Sequence, residues 1–356
     1  MNILIISVPH DAHALVVACA LKRLDHDVTL YSPPSEIGKS KISLKISDNQ
    51  AAWIGNGGVI QADHFDVIWQ RRRSVPTLKK NVHAEDIDFV LRENVKFFLD
   101  FWELAHDKTR WIHDSPALRS GESKIRQLAR ARKCGLRVPD TLISADVDSI
   151  LNFIRITAND GSQVIYKAFT PVGWENRVKH TAIVDTNTIL NNNIVSLTPG
   201  IYQRRLDKQF EVRANFFGPH ELSVRIDACL TNAGSLDWRS VFDLKNHLSP
   251  FQLPDSVRNS CQILLDELGL QMACIDLVVD SDDNFHFIEL NQQGQFLWIE
   301  EQCPQFRLLD TFLDFLVPNS DTNREQRLAI GFHDIIKSSQ YIDLDQRFES
   351  GIILEV

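Results

Sequence analysis

Three oxygen-bearing side chains in the last third of the chain have a spacing that could hold a metal ion. Glu289 and Asn291 are two residues apart in a β-strand-like run, so both side chains point to one face. Asp276 lies in a preceding run of the same kind, and the turn sequence Asp280–Asn284 joins the two. An antiparallel hairpin would place Asp276 across from the other two side chains. Because Mg²⁺ prefers oxygen ligands, the hairpin predicts a magnesium site.

A solvated strand face with outward-pointing acids is the alternative, and Glu-x-Asn taken alone favours it. The residues that flank the acids favour the metal site, because they are apolar: Ile275, Leu277, Ile288 and Leu290. Carboxylates among such neighbours are partly buried and repel each other unless a cation lies between them. The run Gln293–Glu300, which follows directly and includes Trp298, also favours the functional interpretation.

Lys124 and Lys167 are candidate phosphate ligands. Lys124 stands at the start of a predicted helix, whereas Lys167 lies inside the apolar β-run Ile165–Ala168. A single lysine is most often a surface residue. An ammonium group in an apolar strand needs an anion, however, and a phosphate would supply one.

The segment Ile201–Leu206 is predicted to be a strand that ends in a turn. Such a strand end can offer backbone groups and a side-chain amide to the edge of a purine, which makes Gln203 a candidate. Arg204 and Arg205 follow it directly.

Glu211 and Arg213 come next on one strand, and Arg239 follows in the sequence Asp-Trp-Arg. The guanidinium fork binds two oxygens of a phosphate or carboxylate at once. Each arginine alone is more typical of a surface ion pair. The order of two lysines, a strand end, arginines and acids is what favours a nucleotide site.

The elements that carry these residues form a mixed α/β pattern. A β-α-β unit opens the chain and predicts a parallel sheet, with strands at Ile3–Val8 and Val28–Tyr31 around a helix at His10–Leu24. The later predicted helices are Glu85–His106, Ser120–Lys133, Val147–Ile156, Pro254–Leu268 and Phe306–Leu316. The later predicted strands are Ile42–Ile46, Val59–Ile60, Val67–Trp69, Arg110–His113, Pro139–Ser144, Val164–Ala168, Gly200–Arg205, Phe210–Phe217, Leu222–Ala228, Ala273–Val279 and Phe285–Asn291. The pattern predicts no element for residues 319–356.

Composition excludes several classes of protein. A formal net charge of −9 over 356 residues disfavours a general binder of nucleic acids or membrane surfaces, although a local basic patch stays open. The six cysteines are scattered, which indicates neither a zinc ribbon nor a disulfide framework and fits a reducing cytoplasm. The opening segment lacks the features of a signal peptide, and no apolar run reaches transmembrane length. P-loop, G-x-S-x-G and H-E-x-x-H motifs are missing from the sequence, and His10 and His13 are assigned a helix-terminal or surface role.

Taken in order, these residues resemble the ATP-grasp superfamily, whose members include the ribosomal protein S6 glutamate ligase. The order is Lys124, Lys167, Gln203, Glu211–Arg213, Asp276 and Glu289–Asn291. Five stretches are more closely similar to the graspetide (microviridin-type) peptide ligases: Val67–Arg73, Lys124–Leu128, Gly135–Leu142, Asp237–Arg239 and Glu289–Trp298. The chain departs from the family where Gln292-Gln293-Gly294 follows Glu-x-Asn and where Arg204-Arg205 follows the strand-end glutamine.

The resemblance implies an ATP-grasp fold. An N-terminal parallel-sheet domain, residues 1–118, would precede two α+β subdomains, residues 119–198 and 199–318, that clamp ATP between them. The tail, residues 319–356, lies outside the resemblance.

The resemblance also implies roles. The nucleotide ligands would be Lys124 and Lys167 on the α- and β-phosphates, Gln203 with its neighbouring backbone on adenine, and Arg204, Arg205 and Glu211. Arg213 would stabilise the transferring γ-phosphate, and Arg239 the substrate carboxylate or acyl phosphate. Asp276, Glu289 and Asn291 would hold Mg²⁺, with two ions expected.

Such an enzyme would phosphorylate a carboxylate and pass the acyl group to an amine or alcohol, releasing ADP and phosphate. The resemblance implies a ribosomally made precursor peptide as substrate, linked through side-chain esters or amides. Two alternatives stay open: a ligase for small amino acids or peptides, and an inactive scaffold that only binds peptides. A homodimer is a further expectation, since ATP-grasp ligases are often dimers. The exposed loop Thr170–Lys179 is predicted to be a lid, because an acyl phosphate must be kept from water.

Overall fold

The strands form several separate sheets. The computed structural model describes residues 1–38, 42–47, 50–55, 58–61, 63–72, 74, 76–79, 82–100, 108–169, 173–174, 177–178, 181–228, 238–241, 243–318 and 330–356. The strands in this part of the chain are β1 Asn2–Ile6, β2 Asp27–Tyr31, β3 Ser43–Ser47, β4 Gln50–Gly55, β5 Gly58–Gln61, β6 Val67–Gln70, β7 Arg110–Ile112, β8 Thr141–Ser144, β9 Val164–Lys167, β10 Gly173–Trp174, β11 Arg177–Val178, β12 Thr181–Val184, β13 Gly200–Arg204, β14 Lys208–Phe217, β15 His220–Ile226, β16 Leu248–Phe251, β17 Met272–Asp280, β18 Phe285–Asn291 and β19 Ile353–Glu355.

Helices cover the sheets and connect their strands. The α-helices are α1 Ala12–Arg23, α2 Ile87–Asp100, α3 Ser115–Glu122, α4 Lys124–Lys133, α5 Val147–Ala158, α6 Thr186–Leu190, α7 Asp255–Leu268, α8 Leu297–Gln302, α9 Leu308–Leu316, α10 Phe332–Ile336 and α11 Ser339–Arg347. No helix among the described residues is long and apolar enough to cross a membrane.

The first sheet has the strand order β19-β2-β1-β6-β7, and its four N-terminal strands run parallel. The predicted β-α-β unit and mixed α/β class are therefore confirmed. Helix α1 is apolar all round, and each residue from Ala14 to Leu21 is fully buried. The sheet covers one side of α1, and α9, α10 and α11 cover the rest.

The tail completes this first sheet, which the sequence pattern did not predict. Strand β19 pairs antiparallel with β2, so the edge strand next to β1 is covered. Glu300, which is 2% exposed, accepts hydrogen bonds from the backbone N–H groups of Leu309 (2.8 Å) and Phe332 (3.2 Å). This buried carboxylate thus joins α8 to the start of α10 in the tail.

Two antiparallel sheets carry the candidate site residues. The central sheet has the order β12-β9-β13-β8, and the C-terminal sheet has the order β16-β15-β14-β17-β18. Along β14, Val212, Ala214 and Phe216 pack into the core that α4 and α7 cover, while Arg213 and Asn215 point to the opposite face. The same alternation along β17 puts Asp276 on the face of Arg213.

Two predicted helices differ from the structure. The predicted helix Ser120–Lys133 is two helices, because the chain is extended at Ser123 (ψ 99°), whose hydroxyl caps α4 by accepting from the N–H of Arg126. The predicted helix Glu85–His106 begins at Ile87, after one 3₁₀ turn, and is described as far as Asp100; residues 101–107 lie outside the described residues.

Besides the elements of the tail, the pattern missed strands β4, β10, β11, β12 and β16 and helices α6 and α8. The predicted domain boundaries stay predictions. Strand β13, which the boundary at residue 199 assigns to the third unit, hydrogen-bonds within the central sheet.

Ending the chain after Phe348 removes β19 and leaves the edge of β2 open. The loss of three backbone pairs and of the partly buried Ile353 is expected to lower the free energy of unfolding by about 2–4 kcal/mol. Urea denaturation measures the change. The control is Glu355→Ala, which changes an exposed side chain of the same strand and is expected to cost almost nothing; equal stability of the shortened and full chains would contradict the prediction.

Candidate active site

The predicted acidic hairpin is present. Strands β17 and β18 are antiparallel, with Asp276 directly opposite Glu289 and Cys274 opposite Asn291. The register shifts after Asp276, so that Leu277 pairs with Phe287 and Ile288 is the extra residue of a bulge. Asp276, Glu289 and Asn291 therefore occupy adjacent positions on one face of the hairpin.

Arginines neutralise the two acids of the hairpin. Arg213 donates to Oδ1 of Asp276 at 2.7 Å, and both side chains are almost fully buried. Arg239 donates from Nη2 to Oδ2 of Asp276 (2.7 Å) and to Oε1 of Glu289 (2.6 Å). A guanidinium group thus lies between the two carboxylates, where the sequence predicts a cation.

The ionisation of the buried pair follows from this geometry. Burial acts to raise the pKa of Asp276, but the charges of Arg213 and Arg239 outweigh it and hold this pKa below its ordinary value. Burial likewise acts to lower the pKa of Arg213, and Asp276 outweighs it, so the pKa of Arg213 is raised. Both groups are therefore charged at neutral pH.

A cavity of about 540 Å³ opens over this face, between the central and C-terminal sheets. Ten of the eleven predicted site residues line it: Lys124, Lys167, Gln203, Arg204, Arg205, Glu211, Arg213, Arg239, Glu289 and Asn291. The eleventh, Asp276, lies behind the wall of the cavity and reaches it through its two arginines.

The two lysines enter the cavity from different elements. Lys124 is the first residue of α4; its Nζ donates to the carbonyl of Ala168 at 3.0 Å and lies 4.0 Å from Oε2 of Glu289. Lys167 ends β9, and its Nζ donates to Oε1 of Gln203 at 2.9 Å. The ammonium group of Lys167 thus has a neutral amide as a hydrogen-bond partner, and it lies where it can also bind an anion in the cavity.

Gln203 is held on both sides. Its amide oxygen accepts from Lys167, and its Nε2 donates to Oγ1 of Thr141 at 2.9 Å. The backbone N–H of Arg204 donates to the carbonyl of Asp140, and the backbone N–H of Arg205 donates to the carbonyl of Gln163. The side-chain amide of Gln203 and the next two backbone N–H groups are therefore all engaged within the protein.

The side chains of Arg204 and Arg205 turn to the rim. Arg204 forms ion pairs with Asp160 and with Asp140 (3.4 Å), and Arg205 donates to Gln163. The hydrogen bond from Arg204 lowers the pKa of Asp160 to about 2. Deeper in the cavity, Glu211 accepts from Nζ of Lys208 at 2.9 Å and is 7% exposed.

The donor set on the hairpin fits Mg²⁺. Two carboxylates and the amide of Asn291 are oxygen donors, and Mg²⁺ binds through one or two carboxylates while phosphate and water oxygens complete its shell. Among the described residues, no group of three or more His, Cys, Asp or Glu side chains could hold a metal ion without other ligands.

Several residues of the site were not predicted. Trp238 and Trp298 stack on the cavity wall, with ring centroids 4.9 Å apart, and the guanidinium of Arg239 lies 4.9 Å from the Trp238 ring. Trp298 lies in the run Gln293–Glu300, which favours a functional interpretation, but nothing in that run predicts that its ring meets Trp238. Asp237, which precedes Trp238, lies outside the described residues, as does most of the predicted lid Thr170–Lys179.

His13 has a different role from the predicted surface one. It lies in the first turn of α1, as the helix-terminal interpretation predicts, but its Nε2 accepts from the backbone N–H groups of Phe296 and Leu297, each at 3.1 Å. Burial, with the charges of Arg71, Arg72 and Arg213, lowers the pKa of His13 well below its ordinary value. The neutral imidazole thus holds the start of α8 against the N-terminal sheet.

The loop between β18 and α8 is shaped by a glycine. Gly294 has a φ of +56°, and a Cβ there would lie 2.7 Å from the side chain of Met272. The loop places the carbonyl of Gln295 3.1 Å from Nη2 of Arg213. The cavity arginine is therefore held by both the hairpin and the loop that follows it.

The buried pair yields a stability prediction. Asp276→Asn leaves the guanidinium of Arg213 buried without its anion and is expected to lower the free energy of unfolding by about 3–5 kcal/mol. Glu289→Gln, at a side chain that is 32% exposed, is the matched control and is expected to cost about 1 kcal/mol or less. Urea unfolding without nucleotide measures both, and equal losses would contradict the assignment.

The same comparison has a defined pH dependence. The pKa of Asp276 is lower in the folded state than in the unfolded state, so the ionised carboxylate stabilises the fold. This contribution to the free energy of unfolding is complete above the unfolded-state pKa of about 3.9 and is lost as the pH falls through the folded-state pKa. The stability difference between the chain and its Asp276→Asn variant should therefore shrink as the pH is lowered through that range. A difference that stays constant there would contradict the ion pair.

Solved structures similar to this one include a RiPP-associated ATP-grasp ligase and two macrocyclases. The RiPP-associated ATP-grasp ligase of Chryseobacterium gregarium, in complex with ADP and a leader and core peptide, has a TM-score of 0.77 at 21% identity; the match covers 91% of this chain and 98% of that one. The macrocyclase MdnC of Microcystis aeruginosa, bound with precursor peptide MdnA, has a TM-score of 0.76 at 20% identity, covering 90% of this chain and 100% of that one.

A second Microcystis aeruginosa macrocyclase, MdnB, has a TM-score of 0.73 at 18% identity, covering 89% of this chain and 99% of that one. No protein-family model matches the chain, and no curated protein matches it. The likeness extends over nearly the whole of both chains, in agreement with the resemblance found in the sequence. This chain has the fold of the ATP-grasp ligases.

Proposed function

We propose that this protein is an ATP-dependent carboxylate ligase that forms side-chain ester or amide links in a ribosomally made precursor peptide. The observation that carries the proposal is the face of Asp276, Glu289 and Asn291, joined to Arg213 and Arg239 under a cavity that two lysines also line. Structures of the same fold that contain ADP and precursor peptides support the substrate class.

The nucleotide would lie between the central and C-terminal sheets. Lys124 and Lys167 project into this space from α4 and β9 and would hold the α- and β-phosphates. Gln203, Arg204, Arg205 and Glu211 line the same cavity and would surround the adenosine end. Arg204 and Arg205 are tied to the rim, so they would shape the mouth of the cavity more than they contact phosphate.

Asp276, Glu289 and Asn291 would hold Mg²⁺, with two ions proposed. Bound there, Mg²⁺ would screen the negative charge of the phosphates. Since Arg239 contacts both acids, its guanidinium would have to leave them to make room, and it would then be free to meet the substrate carboxylate. Arg213 would keep its place, because Asp276 and the carbonyl of Gln295 hold it on two sides.

The first step is transfer of the γ-phosphoryl group to a substrate carboxylate. A carboxylate oxygen attacks the γ-phosphorus, the bond from this phosphorus to the bridging oxygen breaks, and ADP leaves with the electron pair. Charge spreads over the transferring group, and the guanidinium of Arg213 stabilises it. The product is an acyl phosphate, in which the poor leaving group of a carboxylate has become a good one.

In the second step a hydroxyl or amine of the substrate attacks the acyl carbon. The bond to the phosphate oxygen breaks, inorganic phosphate leaves with the electron pair, and the nucleophile loses its proton to solvent. Water competes for the same intermediate. The stacked rings of Trp238 and Trp298 form an apolar wall beside Arg239 and would limit the access of water on that side.

The compartment and the oligomeric state are also part of the proposal. The described cysteines, Cys19, Cys134, Cys261, Cys274 and Cys303, are free thiols, which supports a reducing compartment such as the cytoplasm. A homodimer stays a prediction, which sedimentation velocity would test.

Removing one metal ligand tests the chemistry. Glu289→Gln keeps the shape of the side chain but removes its charge, so ADP formation is expected to fall by about 100-fold or more, since a catalytic metal contributes several kcal/mol. Glu267→Gln is the matched control, because Glu267 is an exposed acid paired with Arg130 outside the cavity. Unchanged turnover in the Glu289 variant would contradict the metal assignment.

The substrate class is tested with the unmodified protein. ATP and Mg²⁺ are supplied with peptides that carry Ser, Thr or Lys together with Asp or Glu, and separately with free amino acids. The expected outcome is release of ADP together with a peptide product whose mass is lower by the mass of water. If ADP is released with free amino acids but not with peptides, the result would favour the ligase for small amino acids or peptides. If the protein binds peptides but no nucleotide, the result would favour the inactive scaffold.

A further inference from the structure

The chain connections diverge at the carboxyl ends of β1 and β6, which are neighbours in the first sheet, and the space outside these two strand ends is named the crevice. From β1 the chain passes through α1 to β2 on one side, whereas β6 leads through α2 to β7 on the other. In an open parallel sheet, a ligand binds at the place where the connections diverge in this way. The cavity described above does not include this crevice.

Two consecutive arginines fill this crevice. Arg71 and Arg72 follow β6 directly, and Arg71 is 1% exposed. Nη1 of Arg71 donates to the carbonyl of Gln293 at 2.8 Å, and Nη1 of Arg72 donates to Oε1 of the same residue at 2.9 Å. The side chain of Arg72 remains 34% exposed. Arg71 is thus a buried part of the structure, and Arg72 presents its guanidinium at the surface of the crevice.

The positive charge here is only partly balanced. Asp11 is the carboxylate paired with both arginines, at 3.4 Å from Nε of Arg71 and 3.8 Å from Nε of Arg72. Its oxygens also accept from the hydroxyl of Ser7 (2.6 Å) and the backbone N–H of His13 (3.3 Å). Nε of Arg71 is buried and has no hydrogen-bond partner among the described residues. Within the described part of the chain, two guanidinium groups therefore share one carboxylate that other donors also use.

The crevice is joined to the candidate active site by one short loop. Gln293, which both arginines contact, is two residues beyond the proposed metal ligand Asn291, and Asn291 accepts from its N–H at 3.1 Å. Two residues further on, the carbonyl of Gln295 accepts from Arg213. A group bound at Arg72 would therefore lie beside the reaction centre, on the side of the N-terminal sheet, away from the lysines that face the nucleotide.

We propose that Arg72 binds a carboxylate of the substrate peptide, an acidic side chain next to the one that reacts, and that Arg71 positions it by fixing Gln293. The inference rests on the proposed function, because the peptide is its ligand. A half-exposed guanidinium with surplus positive charge suits a carboxylate, whose two oxygens match its fork. A site of this kind selects peptides in which acidic residues are closely spaced.

Peptide binding tests the inference separately from catalysis. The probes are a fluorescent peptide of alternating Thr and Glu residues and the same peptide with Gln at each Glu, titrated by anisotropy without nucleotide. Arg72→Ala is expected to weaken binding of the Glu peptide by about tenfold, the size of one charge-assisted contact, and to leave the weaker binding of the Gln peptide unchanged. Arg72→Lys keeps the charge without the fork and should recover part of the affinity.

Two controls keep the outcomes distinct. Arg23→Ala removes an arginine of the same domain that contacts Gln340 outside the crevice, and it should not change binding of either peptide. Binding of ADP with Mg²⁺ is measured on each variant, along with its melting temperature. A wild-type protein that binds no nucleotide would contradict the proposed function, whereas Arg72→Ala that weakens both peptides equally, or neither, would overturn the carboxylate site.

Discussion

The buried ion pair between Arg213 and Asp276 is the interaction on which the site depends. Neither charge could stay in this nearly dry interior alone, so each requires the other. The pair fixes the adjacent strands β14 and β17 at the point where the cavity begins, and Arg239 extends it to Glu289 at the surface. The proposed cation site therefore coincides with a charge network that the fold already balances with its own guanidinium groups.

Three sheets contribute to the proposed active site, and each has a separate part. The central sheet presents Lys167 and Gln203, and the C-terminal sheet presents the acids and their arginines. The first sheet reaches the site through the loop after Asn291, which His13, Arg71 and Arg72 hold from one side and Arg213 from the other. That loop is where a substrate on the N-terminal side and a nucleotide on the other would meet.

Local patterns predicted the parts of the site that depend on neighbouring residues. Alternation and a turn sequence were sufficient for the hairpin of Asp276 and Glu289, because register follows from a short turn. They were not sufficient to show that Arg239 would bridge the two acids, since that contact joins distant segments. The role of His13 and the position of β19 depend on contacts across nearly the whole chain, and the break at Ser123 depends on a single capping serine inside a helical pattern.

Strand β19 has a consequence for how the molecule is made. Its partner β2 is synthesised among the first residues, yet it must wait for Ile353–Glu355 before its outer edge is covered. Until those residues are in place, one edge of β2 lies open and α1 lacks the cover of α10 and α11. Open strand edges and exposed apolar surfaces favour aggregation. The two ends of the chain therefore meet in one sheet, and a polypeptide without Ile353–Glu355 would leave the outer edge of β2 open.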